Sequence, residues 1–338
     1  MTSFWTKLEE HCATRYEGEH CNFDHSSSSK GIPEAETSVA PLSHYGFLRV
    51  KGADAHKFLQ GQTSADFRQV STSEAQRGAY CTPKGRMLTS FLAAGSADND
   101  VLLRMRGNLV ESSKALLAKY AVFSKAELSD ASTEFIGLGI AGEQAAALVS
   151  QQFGSSPATY NAVVSSELGL AIQIDSLGQR YELWLHADQA FACWQHLLTQ
   201  AKATGSLSWD ELAINDGIAD VCAATVGDLI PQMLNYDATG TVNFKKGCYT
   251  GQEVVARLHY RGTAKRRLYR GTVQSGHVVE GDEVFADDKA QASGLIANTA
   301  NGKALIVLAR DALSATKLHT TSGAILGDIQ PPPYDLKD

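Results

Sequence analysis

The sequence predicts an α+β protein built from more than one domain, and three observations support this. A chain of 338 residues is too long for one ordinary hydrophobic core, so two or three domains are expected. From residue 135 to residue 206, the order of strand, helix, two strands and helix is most of a ferredoxin-like unit. After Lys265, short strands punctuated by glycines predict a small antiparallel barrel or sandwich.

The elements follow from the period of the apolar residues, which is about two in strands and about 3.6 in helices. Before residue 135 we predict strands at 45–50, 78–81, 87–94 and 101–105, with a turn at Pro83, Lys84 and Gly85. Helices are predicted at 53–59 and 108–120. These elements form the first part of a globular domain.

The middle and final sections contain the remaining predicted elements. The ferredoxin-like section has a strand, a helix, a hairpin and a helix at 136–141, 143–153, 169–174, 181–185 and 187–201. A helix at 207–217 returns the chain to the first domain. The final strands are 267–272, 283–286, 294–298, 304–307 and 317–320. The predicted segments are a variable extension, a discontinuous first domain, a ferredoxin-like domain and a barrel, at 1–40, 41–134 with 207–263, 135–206 and 264–338.

Composition limits the class of protein. The hydrophobic fraction of 43% and the mean hydropathy of -0.17 are typical of a soluble globular chain without a membrane span. Six cysteines without a close pairing pattern in the body, and an N-terminus without the features of a secretory signal, predict a reducing, cytoplasmic location. The net charge of -7 argues against a dedicated nucleic-acid binder. We expect a monomer.

Residues 1–40 differ from the rest of the chain. A short helix fits residues 4–16, and the serine run 26–29 is typical of a linker, so we predict a mobile extension. Histidines and cysteines occur here, but their spacing fits no standard zinc pattern, and we predict no metal site. They are His11, Cys12, His20, Cys21 and His25.

The most informative segment is 245–257, in which Cys248 lies between glycines and after two lysines. Thr250 and Glu253 have the spacing of a capping box, which predicts a helix beginning at Thr250. A cysteine just before the positive end of a helix and near basic side chains favours a thiolate. We therefore predict an exposed, reactive Cys248. The other motif residues are Lys246, Gly247, Tyr249, Gly251, Gln252, Glu253 and Arg257.

This segment resembles the signature of the YgfZ family, whose members are folate-binding relatives of the glycine-cleavage aminomethyltransferase. Other segments agree in order and extend the resemblance from about residue 42 to the end: 52–66, 82–87, 119–123 and 230–244. The resemblance implies a three-domain aminomethyltransferase-like fold around a central opening, with a ferredoxin-like middle unit and a C-terminal β-barrel. It also implies that the discontinuous first domain binds tetrahydrofolate or a one-carbon derivative of it.

Four residues are candidates for contact with folate. By the resemblance, Tyr45 and Trp209 occupy positions where aromatic side chains are associated with the folate site, and an aromatic ring can stack on a pterin. Ordinary core packing is the alternative for both. Gln232 and Asn235 could read the pterin edge, or they could stabilise a loop through backbone hydrogen bonds.

Two further patterns each have a functional and a structural interpretation. Residues 137–142 match Gly-x-Gly-x-x-Gly, but no acidic residue follows at the required distance, so we interpret these glycines as sites of close packing. A basic run from Arg257 to Arg270 could bind an anion such as a folate tail or an RNA backbone, or it could be a solvated face.

Three functions are consistent with these observations. The resemblance implies a folate-binding accessory protein for the assembly or repair of iron–sulfur client enzymes, including those that thiolate transfer RNA. The first alternative is a folate-dependent aminomethyl or methyl transferase, which needs an acid beside the folate; only Asp216 and Asp220 are near the relevant helix end. The second alternative is a non-enzymatic scaffold or RNA-binding protein.

Overall fold

The computed structural model describes residues 3–23, 36–287 and 289–336. The chain divides into two compact units. Unit 1 comprises Met1–Leu59, Phe67–Gln76 and Leu92–Trp209, and unit 2 comprises Gln60–Asp66, Arg77–Phe91 and Asp210–Asp338. The domain boundaries given above stay predictions.

Short strands and helices alternate along the described chain. The helices are α1 Phe4–His11, α2 Ala55–Gln62, α3 Val110–Ala121, α4 Ala145–Phe153, α5 Ala190–Leu197, α6 Ser206–Asn215 and α7 Gln252–Arg261. The strands are β1 Thr14–Glu17, β2 His20–Phe23, β3 Ser38–Pro41, β4 Tyr45–Lys51, β5 Gln76–Cys81, β6 Met87–Ala97, β7 Asp100–Arg106, β8 Glu127–Asp130, β9 Phe135–Ala141, β10 Val163–Ser166, β11 Gly169–Gln173, β12 Arg180–His186, β13 Lys202–Ala203, β14 Arg266–Ser275, β15 Glu283–Ala286, β16 Gly294–Ala300, β17 Lys303–Ala309, β18 Leu318–Thr320 and β19 Ile325–Gln330.

The N-terminal segment is folded where the structure describes it, so the prediction of a mobile extension is wrong for residues 3–23. Helix α1 begins after Ser3, whose side-chain oxygen accepts a hydrogen bond from the Thr6 N–H. Phe4 and Leu8 lie about one turn apart on one face of α1 and are buried in the core of unit 1 beside Phe191 of α5. The serine run and His25 lie outside the described residues.

The six-stranded sheet of unit 1 has the order β10-β11-β12-β9-β3-β13. Helices α4 and α5 contribute Leu148, Val149, Trp194 and Leu197 to the core on one face of it. The predicted order of strand, helix, hairpin and helix is present as β9, α4, β11 with β12, and α5. Strands β3, β10 and β13 were not predicted; β13 has two residues, which is too short for a recognisable alternation.

A second sheet has five strands in the order β5-β6-β7-β4-β8. Strands β4 and β7 are antiparallel neighbours, with Tyr45 opposite Arg106 and Phe47 opposite Arg104. The turn between β5 and β6 is the predicted one. It is closed by a hydrogen bond from the Thr82 N–H to the Arg86 carbonyl, and Gly85 adopts a positive φ of 72°.

The C-terminal strands of unit 2 form a closed barrel in the order β14-β17-β16-β15-β18-β19. Its interior is apolar and includes Val284, Ile296, Ile306 and Leu308. All of its strands except β19 were predicted. Strand β19 closes the barrel between β14 and β18, and its irregular pairing with β14 explains why its sequence lacks a regular alternation. Within the described part of the chain, no helix combines the length and the apolar character needed to cross a membrane.

Candidate functional site

Strand β12 presents two chemically different faces. Tyr181, Leu183 and Leu185 belong to the apolar core on one side of the six-stranded sheet. Side chains alternate across a strand, so Arg180, Glu182 and Trp184 point to the other side. The second face of this sheet therefore carries charge and aromatic rings where a purely structural sheet would carry aliphatic side chains.

Glu182 is the centre of a buried hydrogen-bond network on this second face. Arg104 of β7 donates from Nε to Oε2 at 3.0 Å and from Nη2 to Oε1 at 2.9 Å. The indole Nε1 of Trp184 also donates to Oε2, at 3.0 Å. The two charged side chains are only 2% and 1% exposed. The two hydrogen bonds fix the relative orientation of the guanidinium and the carboxylate. Loss of either side chain would leave the other charge buried without its counter-charge, which is energetically costly.

Tyr45 joins this network through its ring. The guanidinium carbon of Arg104 lies 3.9 Å from the ring centroid, and that of Arg106 lies 5.3 Å away. Both positions are within the range of cation–π attraction. The ring of His44 is tilted against Tyr45 with centroids 4.0 Å apart. Tyr45 is half-buried, so part of its surface remains accessible.

Trp209 lies on the same face and is only 2% exposed. A Cβ on Gly139 would come within 2.5 Å of its indole, so only glycine fits there. Gly139 is the register partner of Glu182, and the Arg180 guanidinium lies 5.0 Å from the Trp209 ring. The close packing predicted for the glycines of 137–142 is therefore present at Gly139, against Trp209. We use the name aromatic–arginine face for Tyr45, Arg104, Arg180, Glu182 and Trp209.

The aromatic–arginine face combines flat apolar surfaces with cations. Arg104 is already paired with Glu182, so the groups that could meet a flat ligand carrying carboxylates are the accessible ring of Tyr45 and the half-buried guanidinium of Arg180, because rings stack and guanidinium groups pair with carboxylates. Sequence analysis found the two aromatic residues but missed Arg104, Arg180 and Glu182. The available signal was a charge inside otherwise apolar strands, as in Leu103-Arg104-Met105 and Tyr181-Glu182-Leu183.

In unit 2, residues 245–251 combine buried and exposed positions, and we call this segment the cysteine loop. Lys246 and Tyr249 are buried, with 6% and 7% of their surface exposed, whereas Gly247 and Cys248 are exposed. Cys248 is therefore accessible to solvent, as its neighbours in sequence predict. Two buried anchors flank an exposed thiol.

Lys246 is held by backbone carbonyl groups. Its Nζ donates to the carbonyl oxygens of Gln60, Thr63 and Ala65 at 2.8, 2.5 and 2.6 Å. An ammonium has three N–H donors, so these carbonyls match its full capacity. Nζ also lies 5.1 Å from the centroid of the Tyr249 ring. Burial raises the pKa of the Tyr249 phenol well above its usual range, with a smaller contribution from Cys81.

Gly251 ends the cysteine loop, and glycine is required there for two reasons. Its φ is +86°, and a Cβ would lie 2.4 Å from the carbonyl oxygen of Thr82. The turn 82–86 therefore packs directly against the cysteine loop. These are two of the segments that carry the family resemblance, and they are neighbours in unit 2.

The predicted capping box at the start of α7 is wrong. Helix α7 begins at Gln252, with Gly251 as its N-cap and no side-chain cap. Thr250 instead donates from Oγ1 to Oε1 of Gln62 at 3.3 Å. Because Gly251 takes up the left-handed conformation needed for the close approach to Thr82, the helix starts beyond the predicted residue. Glu253 and Arg257 are exposed.

Gln232 and Asn235 are both buried, but they use their amides differently. Asn235 donates from Nδ2 to the Leu268 carbonyl at 3.0 Å and accepts from the Leu268 N–H at 3.3 Å. Both ends of this amide therefore stabilise the loop, which is the structural alternative considered above. Gln232 donates from Nε2 to the Val255 carbonyl at 2.7 Å, whereas its Oε1 has no hydrogen-bond partner among the described residues.

Comparison with known proteins assigns the family. The family model described as the GCVT N-terminal domain matches residues 34–209. The chain belongs to this family. The matched segment contains every residue of the aromatic–arginine face, whereas the cysteine loop lies beyond its end.

One solved structure resembles this GCVT family member across nearly its whole length. The crystal structure of glycine cleavage system aminomethyltransferase T from Bartonella henselae is 16% identical, with a TM-score of 0.73, and the alignment covers 96% of this chain and 94% of that one. The predicted aminomethyltransferase-like fold is thereby confirmed. Heterotetrameric sarcosine oxidase from Corynebacterium sp. U-96 matches with a TM-score of 0.40 at 14% identity, over 59% of this chain and 94% of that one.

Removing the carboxylate of Glu182 should destabilise the GCVT chain strongly. In Glu182→Gln, Arg104 keeps its charge in a buried position, and we expect a loss of about 3 kcal/mol in the free energy of unfolding. Urea unfolding followed by circular dichroism measures this loss. The control is Glu134→Gln, which removes a half-exposed partner 2.8 Å from Arg49 and should cost about 1 kcal/mol or less. Equal losses in the two variants would contradict the special role of the buried pair.

Cys248 should be the first cysteine of the native chain to be alkylated. Burial raises the pKa of the Cys81 and Cys193 thiols to about 12 and that of Cys21 to about 11, so these groups stay protonated near neutral pH. Iodoacetamide treatment at about pH 8, followed by mass spectrometry of peptides, measures the order of labelling. Half-buried Cys12 should react next, and the buried thiols only after unfolding. Labelling of Cys81 as fast as Cys248 would contradict this order.

Proposed function

We propose that this protein is a YgfZ-like, folate-binding accessory protein that supports the assembly or repair of iron–sulfur enzymes, including those that thiolate transfer RNA. The observation that carries the proposal is the cysteine loop. Buried Lys246 and Tyr249, together with the tight contact of Gly251, hold an exposed Cys248 in place. A structural cysteine would need no such support. We expect the protein to act as a monomer in the cytoplasm.

The aromatic–arginine face supports the cofactor part of the proposal, because its residues fit tetrahydrofolate or a one-carbon derivative. Tyr45 has accessible ring surface for a pterin or an aminobenzoyl ring, and the half-buried guanidinium of Arg180 is the candidate for the carboxylates of the folate tail, because Arg104 is already paired with Glu182. Trp209 is buried, so its role would be to shape the site from beneath. Folate, when bound, supplies a carrier for one-carbon units. Contacts from Gln232 and Asn235 stay predictions.

Cys248 would supply the chemistry that folate does not. An exposed thiol on a loop can approach a metal cluster or a disulfide in another protein, which a buried thiol cannot do. Lys245, three residues before Cys248, is also exposed, whereas Lys246 is buried against backbone carbonyl groups.

A folate-dependent aminomethyl or methyl transferase is the second candidate. The likeness to an aminomethyltransferase over 96% of the chain favours it. Such an enzyme needs an acid to manage protons beside the folate. Asp220 is buried and accepts a hydrogen bond from the Ser90 hydroxyl at 3.3 Å, so it already has a structural role. Robust one-carbon transfer to the carrier protein of glycine cleavage would favour the transferase over the accessory protein.

The basic run offers less support for a scaffold or RNA-binding protein. Arg267 pairs with Asp237 at 2.6 Å, and both side chains are buried. Arg270 donates to the carbonyl oxygens of Asn215 and Pro331. The run is therefore not one continuous exposed cationic face, although an RNA site usually needs several free cations.

Folate binding is tested by titrating the full chain with tetrahydrofolate in a calorimeter under reducing conditions. Tyr45→Ala should weaken binding about tenfold or more, because it removes the accessible ring of the proposed site. Tyr120→Ala removes an exposed tyrosine elsewhere and should leave the affinity unchanged. Thermal melts of both variants check that each is folded. Wild-type protein that releases no heat with tetrahydrofolate would remove the cofactor from the proposal.

The role of the thiol is tested by complementation of a strain that lacks this protein. Cys248→Ala should fold normally, because the side chain is exposed, but it should fail to restore the activity of iron–sulfur enzymes that thiolate transfer RNA. Cys12→Ala is the control and should restore that activity. Mass spectrometry of modified nucleosides measures the result. Full restoration by Cys248→Ala would contradict a role for the thiol. It would not bear on folate binding, which the calorimetric titration tests separately.

A further inference from the structure

A surface of unit 2 beside the cysteine loop combines positive charges with an exposed aromatic ring. Between residues 244 and 265 the chain has five basic residues and one acidic residue, although its net charge is -7. Lys245, Arg257 and Arg261 are exposed, and Tyr260 is 67% exposed. We call these four residues the basic–aromatic surface. Positive charge is therefore concentrated here on an otherwise acidic protein.

Helix α7 presents three of these side chains on one face. Tyr260 and Arg261 follow Arg257 at three and four residues, which is the spacing of neighbours on a helix surface. Val255, on the opposite face, is buried. Within the described part of the chain, Arg257 and Arg261 form no ion pair, in contrast to the buried Arg267. Their charges are therefore available to a partner.

Stacked rings hold Tyr260 in place at the end of α7. The rings of Phe244 and His259 are stacked, with centroids 3.7 Å apart and an angle of 11° between their planes. The Tyr260 ring packs edge-on against His259 at 4.8 Å and against Phe244 at 6.2 Å. An exposed ring that is already ordered loses little conformational freedom when a partner binds it.

Cys248 lies close to this surface. Phe244 precedes it by four residues and Gln252 follows it by four, and four extended residues span at most about 14 Å. Helix α7 rises about 10 Å between Gln252 and His259, and Phe244 stacks on His259, so both ends of the cysteine loop lie against α7. Even at these limits, about eight extended residues of a partner span the distance from Cys248 to Arg261.

The charge and the size of the surface favour a protein segment over a nucleic acid. Affinity for RNA at physiological salt depends on many phosphate contacts, and two turns of a helix with one lysine beside it offer few. Tyrosine and arginine are the residue types enriched at the energetically important positions of protein interfaces. A short segment with a few carboxylates matches the number of available cations.

We propose that the basic–aromatic surface is a docking site for an acidic segment of the protein whose cysteine or disulfide meets Cys248. Carboxylates of that segment pair with Arg257 and Arg261, and an apolar side chain between them packs on the Tyr260 ring. This inference rests on the proposed reaction of Cys248 with a partner protein, and it adds the chemistry by which that partner is selected.

Disulfide exchange with charged peptides tests the docking site. Two peptides of equal length each carry one cysteine as its pyridyl disulfide, among glutamates and leucines in one and among lysines and leucines in the other. The full chain carries Cys12→Ala, which leaves Cys248 as its exposed cysteine. The Cys248 sulfur bonds to the peptide sulfur as the bond to pyridine-2-thione breaks, and absorbance follows the released thione.

The acidic peptide should react about tenfold or more faster than the basic peptide at low salt. The ratio of the two rates should fall towards one as salt is added, because ions screen the attraction. Equal rates at low salt would overturn the proposal. A ratio that does not change with salt would also contradict pairing with exposed arginines.

Variants show whether the basic–aromatic surface is responsible. Arg257→Gln combined with Arg261→Gln should lower the ratio about fivefold or more, and Tyr260→Ala should slow the acidic peptide at every salt concentration. Lys119→Gln combined with Lys125→Gln removes two exposed cations of unit 1 and should keep the original ratio. An equal fall in both double variants would assign the preference to net charge and overturn a docking site.

Competition and complementation separate the remaining alternatives. Single-stranded oligouridylate should not slow the acidic peptide at physiological salt, and strong inhibition by it would assign the surface to RNA and overturn the proposal. If the acidic preference is present but Cys248→Ala restores the thiolation of transfer RNA, the docking site stands and the accessory function fails. If Cys248→Ala fails to restore it and the preference is absent, the accessory function stands and the docking site fails.

Discussion

The organisation of unit 1 depends on one buried ion pair, between Arg104 on the five-stranded sheet and Glu182 on the six-stranded sheet. Burying a charge is costly unless a partner and hydrogen bonds replace the lost water. Here the bidentate geometry and the Trp184 N–H replace that water for Glu182. A hydrophobic pair could join the two sheets as stably. The charge pair also fixes the relative orientation of the two side chains, because a guanidinium donates two parallel hydrogen bonds to a carboxylate only in a narrow range of geometries.

The ion pair also helps to position the aromatic residues. Arg104 contacts the Tyr45 ring with the same guanidinium that binds Glu182, so the ring and the carboxylate are positioned together. On the other side of Glu182, its register partner Gly139 leaves the space that the Trp209 indole occupies. Two aromatic residues that are far apart in sequence are thus both connected to Glu182 of β12, Tyr45 through Arg104 of β7 and Trp209 through Gly139 of β9. A rigid arrangement of this kind is what a flat ligand requires, because binding then orders few side chains.

The sequence predicted elements whose signal is local, and it missed those that depend on distant partners. The turn at Gly85 and most barrel strands follow from glycine positions and alternation, and they are present. The capping box failed because the backbone of Gly251 is fixed by Thr82, which is far away in sequence. Helix α1 was predicted, but its packing on Phe191 was not, since two apolar residues in a polar segment give no indication of a distant partner. Arg104 and Glu182 look like isolated charges in the sequence, because their strands belong to different sheets and only the folded chain brings them together.

The two amides of the segment 232–235 show why a site residue cannot be assigned from its type alone. In sequence, Gln232 and Asn235 are equivalent candidates, since each carries one donor group and one acceptor. In the folded chain, the backbone of Leu268 uses both ends of Asn235, and the backbone of Val255 uses only the donor of Gln232. Asn235 adopts a left-handed backbone conformation, and its side chain bonds to Leu268 of β14. Hydrogen-bond accounting therefore distinguishes the two amides where residue type cannot.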